Sequence, residues 1–206
     1  MVSVDEMTGI QALERRYPTK PVRPGFLERR EFEYIRNGTV CLIANWDVAQ
    51  GKVITPTVGP TRTEDDFEQH IRRTVAADPN APWVFILDQL NTHQSEKMVR
   101  LVAELCETQD DLGVKEKSGV LKSMPSRKAF LEDSSHRIRF VYTPKHCSWL
   151  NQIEIWFSIL VRRVLKRGSF KSVKELEERI LAFIDYFNET MAKPFRWTCD
   201  GRALVA

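Results

Sequence analysis

The chain's 206 residues are enough for one domain with a sizeable core, and a content of 42% hydrophobic and 29% charged residues excludes a disordered protein. A net charge of +3 is too small to imply nucleic-acid binding by itself. The four cysteines form no CxxC pair, and no segment has the length and apolarity of a membrane span or signal peptide, so the composition indicates a reduced cytosolic protein.

The first predicted element is a strand over residues 2–12. It carries two neighbouring acids, Asp5 and Glu6, which point to opposite faces of a strand. Only one of them can therefore aim at a shared site. The alternative interpretation of Asp5 is an ordinary acid on an edge strand.

A Pro-rich, basic connector over residues 18–24 leads into a predicted β-hairpin. The hairpin is indicated by Asn37-Gly38, because this dipeptide is a strong signal for a tight turn between two strands. The two strands of the hairpin are predicted over residues 32–35 and 39–46.

Acidic residues then occur at two positions where a turn or a helix cap explains them. Asp47 is a rival candidate metal ligand, but its place in a turn before the strand over residues 53–58 favours a turn role. Thr63 is predicted to cap a helix, and the three acids that follow it suit the first turn of that helix.

Residues 83–87 form a short apolar run that is typical of a strand covered on both faces, and the run ends in Asp88. Sites in layered α/β folds gather at the carboxyl ends of buried strands, so Asp88 is a candidate site residue. Asn91 and His93 follow on the loop before a helix capped by Ser95. Two interpretations of this polar pair carry equal weight: contact with a phosphate, water or metal, or stabilisation of the turn.

The stretch over residues 107–137 is charged and weakly periodic, and it separates Asp88 from a further predicted strand over residues 138–142. One interpretation is a mobile, solvated excursion. The other is contact with DNA or a second subunit through the basic residues Lys115, Lys117, Lys122, Arg127 and Lys128.

A long amphipathic helix is predicted within residues 143–170, with Ser148 as its cap. Glu154 falls on the border of the apolar stripe, where a carboxylate is costly unless it is paired or binds a metal. Basic patches that attract phosphate, or are merely solvated, lie before and along this helix: Lys145, His146, Arg162, Arg163, Lys166 and Arg167.

Three motifs resemble one known family: VDEMTGIQALER, FILDQLNTH and YTPKHCSWLNQIEIWFSILVRRVLKRGSF. They are similar to the catalytic domain of IS630-type transposases, in the IS630/Tc1/mariner group, and the likeness covers roughly residues 4–203. The resemblance implies an α/β, ribonuclease-H-like mixed sheet flanked by helices. It also implies an Asp-Asp-Glu metal site at Asp5, Asp88 and Glu154.

For such a site the resemblance implies two hard divalent cations, Mg²⁺ or Mn²⁺, held about 4 Å apart by carboxylate oxygens. Asp5 would bridge the ions, and Asp88 and Glu154 would each bind one. The expected reaction is cleavage and joining of DNA, with the element's terminal inverted repeats as substrate and TA as target. A homodimer on DNA and a nucleoid-associated, cytoplasmic location are expected with it.

The resemblance also predicts one catalytic domain over residues 1–206, with an insertion at about residues 107–137. Such transposases carry an N-terminal helix-turn-helix region, and none precedes Asp5 here. We therefore expect a second reading frame, a truncated copy or an excised piece, with a separate helix-turn-helix polypeptide as a partner. The alternatives are an inactive remnant that binds DNA or dimerises, and a general ribonuclease-H-like nuclease.

Overall fold

A computed structural model describes residues 1–145, 147 and 150–194 of the chain. It contains a five-stranded mixed sheet in the order β3-β2-β1-β4-β5, in which β1, β2 and β3 are antiparallel neighbours and β4 runs parallel to both β1 and β5. The predicted mixed sheet is thus confirmed. Its strands are β1 (Val2–Arg15), β2 (Tyr34–Asp47), β3 (Lys52–Gly59), β4 (Trp83–Leu87) and β5 (Ile138–Tyr142).

Helices cover both faces of this sheet. One face packs against α1, α2 and α3 around a core that includes Phe67, Met98 and Leu131, and the other packs against α4 and α5 around Trp156 and Ile180. None of the helices in the described part of the chain is both long and apolar enough to cross a lipid bilayer. The helices are α1 (Glu64–Ala76), α2 (Glu96–Cys106), α3 (Met124–Glu132), α4 (Ile153–Leu160) and α5 (Val173–Thr190).

The predicted hairpin at Asn37-Gly38 is wrong, because β2 runs straight through this dipeptide. The register against β1 shifts at this point, as in a β-bulge, and Gly38 adopts a φ of 120°. Tertiary contacts override the turn signal: the Asn37 side-chain amide donates to the Phe170 carbonyl at 3.1 Å. A Cβ at Gly38 would lie 2.7 Å from a methyl group of Val173, so the close approach of α5 also requires glycine here.

The turn role predicted for Asp47 is confirmed. Its Oδ1 accepts hydrogen bonds from the backbone N–H groups of Ala49 and Gln50, at 2.9 and 3.1 Å, in the tight connection between β2 and β3. Thr63 likewise caps α1 as predicted, in a reciprocal pair with Asp66.

The helix that carries Glu154 is shorter than its sequence pattern indicates. α4 begins at Ile153, and its predicted cap Ser148 lies outside the described residues. The chain continues into a π-helical turn, Val161–Leu165, closed by a 2.8 Å hydrogen bond from the Lys166 N–H to the Val161 carbonyl.

Residues 107–137 are not a solvated excursion. They contain a short 3₁₀ turn and α3, and Leu121, Phe130 and Leu131 from this segment are buried in the same core as β4 and β5. Arg127 is also buried, so it is unable to offer the DNA contact predicted for it.

Residues 16–33, which we call the arm, form an extended excursion between β1 and β2. Backbone hydrogen bonds pair Lys20 with Arg29, and Arg23 with Phe26 around Pro24-Gly25. Large apolar side chains of the arm face solvent: Tyr17, Val22, Phe26, Leu27 and Phe32.

Candidate metal centre

Asp88 directly follows β4, so the strand ends by presenting a carboxylate at the carboxyl edge of the sheet. Its side chain is 38% exposed. Oδ1 accepts a hydrogen bond from the Leu90 N–H at 3.0 Å and lies 2.9 Å from Nδ1 of His93. The hydrogen bond from His93 is the main reason that the pKa of Asp88 lies below its ordinary value, in spite of partial burial.

Asp5 lies beside Asp88 because β1 and β4 are parallel neighbours. Ser3 pairs with Ile86, and extending this register by two residues brings Asp5 level with Asp88. Burial raises the pKa of Asp5 to about 7, and repulsion from Glu6 and Asp88 adds to the effect, against a hydrogen bond from the Glu6 N–H at 2.8 Å. The structure therefore brings two of the three predicted acids together.

Glu154 is half-buried in the first turn of α4, as its place on the border of the apolar stripe predicts. Hydrogen bonds connect the start of this helix to the residues of β1 that directly precede Asp5. The Asn151 side-chain amide donates to the Val4 carbonyl at 2.7 Å, and the Ser3 hydroxyl donates to Oδ1 of Asn151. The Ile153 N–H also points to the Ser3 hydroxyl oxygen, at 3.4 Å.

These hydrogen bonds hold the start of α4 against β1, but they do not complete a set of metal ligands. Within the described ranges, no group of three or more His, Cys, Asp or Glu side chains is arranged to hold one metal ion. The donors nevertheless suit a hard divalent cation, because Asp5 and Asp88 offer adjacent carboxylates whose repulsion a cation relieves. Bringing Glu154 into the same set adds a third negative charge, which is unfavourable without such a cation.

Glu6 is a site residue that the sequence reasoning missed. Val2 and Val4 face the core around α1–α3, whereas Ser3 faces α4, so Glu6 does point away from Asp5 as predicted. It still interacts with the site through His93, because both of its carboxylate oxygens lie 3.1–3.2 Å from Nε2 of that residue. A charged residue at a core-facing position after Val2 and Val4 is the sequence signal that marks it.

His93 is fully buried in the 3₁₀ turn Asn91–Gln94, where its ring packs against Phe67 with centroids 4.3 Å apart. Burial alone would lower the pKa of His93, but hydrogen bonds to Asp88 and Glu6 outweigh burial and raise it to about 9. Its burial does not fit a direct contact with DNA, and the turn-stabilising interpretation describes it better. Asn91 on the same turn is exposed.

Of the other residues predicted to contact DNA, those that the structure describes lie on the surface. Lys145 is exposed, and His146 falls outside the described residues. Arg162, Arg163, Lys166 and Arg167 are all exposed. Two of them, Arg163 and Arg167, line a groove of about 550 Å³ between the π-helical turn and α5. Among the described residues, no carboxylate lines this groove, and the charged side chains that line it are those of Arg163, Arg167 and Arg179.

The fold is shared with solved transposase structures. The chain is similar to the Mos1 mariner paired end complex with Mn, with a TM-score of 0.55 and 14% identity over 90% of this chain and 48% of that chain. It is also similar to the Mos1 transposase paired-end complex with left transposon end, with a TM-score of 0.54 and 14% identity over 89% and 47% of the two chains. The chain thus spans about half the length of these proteins, and the predicted ribonuclease-H-like fold is confirmed.

Family membership follows from the sequence itself. Residues 1–177 match the DDE superfamily endonucleases, so the chain belongs to this family. No curated protein sequence matches it significantly. The predicted resemblance is confirmed at this level, and the narrower IS630 assignment stays a prediction.

Proposed function

We propose that this chain is the catalytic domain of an IS630-type transposase, which cleaves the terminal inverted repeats of its own element and joins them to TA target sites. One observation carries the proposal: in a DDE superfamily endonuclease, Asp5 and Asp88 stand side by side at neighbouring strands. Glu154 begins a helix that is hydrogen-bonded to the strand of Asp5.

Asp5, Asp88 and Glu154 would hold Mg²⁺ or Mn²⁺, since all three offer the oxygen donors that these ions prefer. When bound, two such ions activate a hydroxyl nucleophile and stabilise the leaving oxygen in phosphodiester transfer. The protein's own contribution is to fix the carboxylates. Asp88 is fixed by His93 and the Leu90 N–H, and Asp5 by the Glu6 N–H.

The groove beside α5 supports DNA as the substrate. Arg163, Arg167 and Arg179 line it, with no carboxylate among the lining residues that the structure describes. Arginine suits phosphate because its planar fork can donate two hydrogen bonds at once. Arg163 and Arg167 lie 9 and 13 residues after Glu154 along the same helical path. At roughly 1.5 Å per residue this places them about 14–20 Å from Glu154, a few nucleotides along a bound strand.

The Mos1 structures are paired-end complexes, one of them with Mn and one with a left transposon end. By analogy, we propose that this chain acts as a homodimer on DNA, and that a separate helix-turn-helix polypeptide supplies recognition of the ends. The absence of a complete three-acid ligand group among the described residues favours one alternative, a noncatalytic DNA-binding or dimerisation module.

Calorimetric titration with Mn²⁺ separates these two functions. The unaltered chain should bind Mn²⁺, Asp88→Ala and Glu154→Ala should lose that binding, and Asp110→Ala, which removes an exposed acid elsewhere, should keep it. A strand-transfer assay with a transposon-end duplex then distinguishes a transposase from a general nuclease, which cuts without joining. Absence of Mn²⁺ binding by the unaltered chain, with or without DNA, would contradict the catalytic proposal.

A further inference from the structure

A buried charged cluster lies directly behind the candidate metal centre. The Glu6 side chain is 2% exposed and the His93 side chain has no exposed surface. They meet through Nε2 of His93, while Nδ1 of the same ring lies 2.9 Å from Oδ1 of Asp88 and 3.3 Å from the Asp88 carbonyl oxygen. One imidazole thus connects a buried carboxylate on β1 to a candidate metal ligand after β4.

The geometry makes both ring nitrogens donors. Nε2 faces the Glu6 carboxylate, and Nδ1 faces two oxygens of Asp88, the carboxylate Oδ1 and the backbone carbonyl oxygen. All of these oxygens accept hydrogen bonds, so His93 donates from Nε2 to Glu6 and from Nδ1 to Asp88. With both nitrogens engaged, His93 has no lone pair to offer a metal. It is therefore not itself a ligand, in contrast to the usual role of a histidine beside a metal site.

Stability alone is a weak reason for such a cluster. Removing a carboxylate and an imidazolium from water is unfavourable, and apolar residues of similar volume often stabilise a core as well or better. Glu6 occupies a core-facing position of β1 in line with Val2 and Val4, where a further apolar side chain would be the simple solution.

His93 is held from other sides as well, through its backbone and its ring. The Tyr142 hydroxyl, on β5, donates to the His93 carbonyl at 2.9 Å, and Phe67 packs against the imidazole. The Leu90 N–H and Nδ1 of His93 both lie within hydrogen-bond distance of Oδ1 of Asp88, at 3.0 and 2.9 Å, whereas Oδ2 has no hydrogen bond from the described residues. One oxygen is therefore oriented by the protein, and the other is open to a ligand.

We propose that Glu6 and His93 are positioning residues: the Glu6 carboxylate orients the imidazole, whose Nδ1–H fixes the Asp88 carboxylate for a divalent cation. The role of Asp88 as a ligand rests on the proposed function, whereas the link from Glu6 through His93 to Asp88 does not. In metal sites, partners of this kind typically change affinity by about 10–100-fold.

The test uses Glu6→Gln and His93→Gln, with His70→Gln as the matched control. His70 is as fully buried as His93, but its Nδ1 meets the Thr57 hydroxyl at 2.7 Å and it lies outside the acidic cluster. We expect Mn²⁺ affinity, measured by calorimetry on folded protein, to fall by about 10–100-fold in the two cluster variants and to stay unchanged in the control. In a strand-transfer assay, kcat should fall while the KM for DNA is unchanged.

A purely structural role would lower the unfolding temperature of all three variants and leave Mn²⁺ affinity equal among them, which would overturn the proposal. Should His93→Gln not fold, Glu6→Gln still decides the question because it keeps the imidazole and the shape of the side chain.

A second readout needs no metal. The two His93 ring N–H protons should give slowly exchanging NMR signals in the unaltered protein, and the Nδ1–H signal should weaken or move in Glu6→Gln. A Nδ1–H signal that is the same in Glu6→Gln as in the unaltered protein would overturn the positioning role, even if the protein binds Mn²⁺. Conversely, a chain that fails to bind Mn²⁺ but shows this coupling would contradict only the proposed function.

Discussion

The arm and the 107–137 segment are similar in sequence character, but one is exposed and the other is partly buried in the structure. Both lack strong periodicity, and both carry many basic residues. The 107–137 segment buries Leu121 and Leu131 completely, whereas Leu27 at the end of the arm is 86% exposed.

The difference depends on whether an apolar surface lies along the path of each segment. Residues 107–137 leave α2 and return to β5, so they cross the face of the sheet and find an existing apolar core. The arm leaves β1 and returns to β2, which are already paired with each other, so its own side chains find no second layer. Apolar content alone therefore does not decide burial: a surface to pack against is also needed.

The largest effect that would test this comparison is expected from Leu131→Ala. Leu131 is fully buried in the core, so the substitution should lower the free energy of unfolding by about 2–5 kcal/mol. Urea unfolding followed by circular dichroism measures the loss. Leu27→Ala in the arm removes the same atoms and should change stability by less than about 0.5 kcal/mol. Equal losses in the two variants would contradict the distinction between the segments.

A smaller effect is expected from Arg127→Ala. The Arg127 guanidinium is buried and donates to the Gln94 carbonyl at 2.9 Å, so its loss leaves a buried acceptor unpaired and should cost about 1–3 kcal/mol. The exposed Lys117 of the same segment provides the control, as Lys117→Ala removes a charge without a buried partner. A strong loss of DNA affinity in Arg127→Ala at unchanged stability would instead restore the surface role predicted from sequence.

The smallest effect is expected from the double variant Phe26→Ser with Leu27→Ser. Both side chains are mostly exposed, at 64% and 86%, so thermal unfolding should occur at the same temperature as in the unaltered chain. Differential scanning calorimetry at several protein concentrations provides the measurement. A clear drop in unfolding temperature would show that the arm packs against the domain in solution, and the comparison would then fail.

Much of the fold could be predicted where a few neighbouring residues encode it. The caps at Thr63 and Ser95 and the turn at Asp47 are closed by hydrogen bonds spanning three residues or fewer, and each is found as predicted. Asn37-Gly38 shows the limit of such signals. Its turn preference is a local tendency of modest energy, and the contacts with Phe170 and α5 outweigh it.

In the candidate site, too, some residues could be predicted from the sequence and others could not. Asp88 could be recognised because an apolar run that ends in a carboxylate is visible in the six residues 83–88, and Glu154 because helical spacing places it on the border of the buried stripe. The link from Glu6 to Asp88 could not be found, because 87 residues separate Glu6 from His93. Nor could the sequence place Asn151 against Ser3.

By itself, the sequence determined the family, the alternation of strands and helices, and the acids with their basic surroundings, because these depend on residue type and short spacing. Only the tertiary structure decided which apolar segment is buried, where the β2 bulge falls and how His93 and Glu6 hold Asp88. These features depend on contacts between residues far apart in the chain, whose partners are defined only once the sheet has assembled.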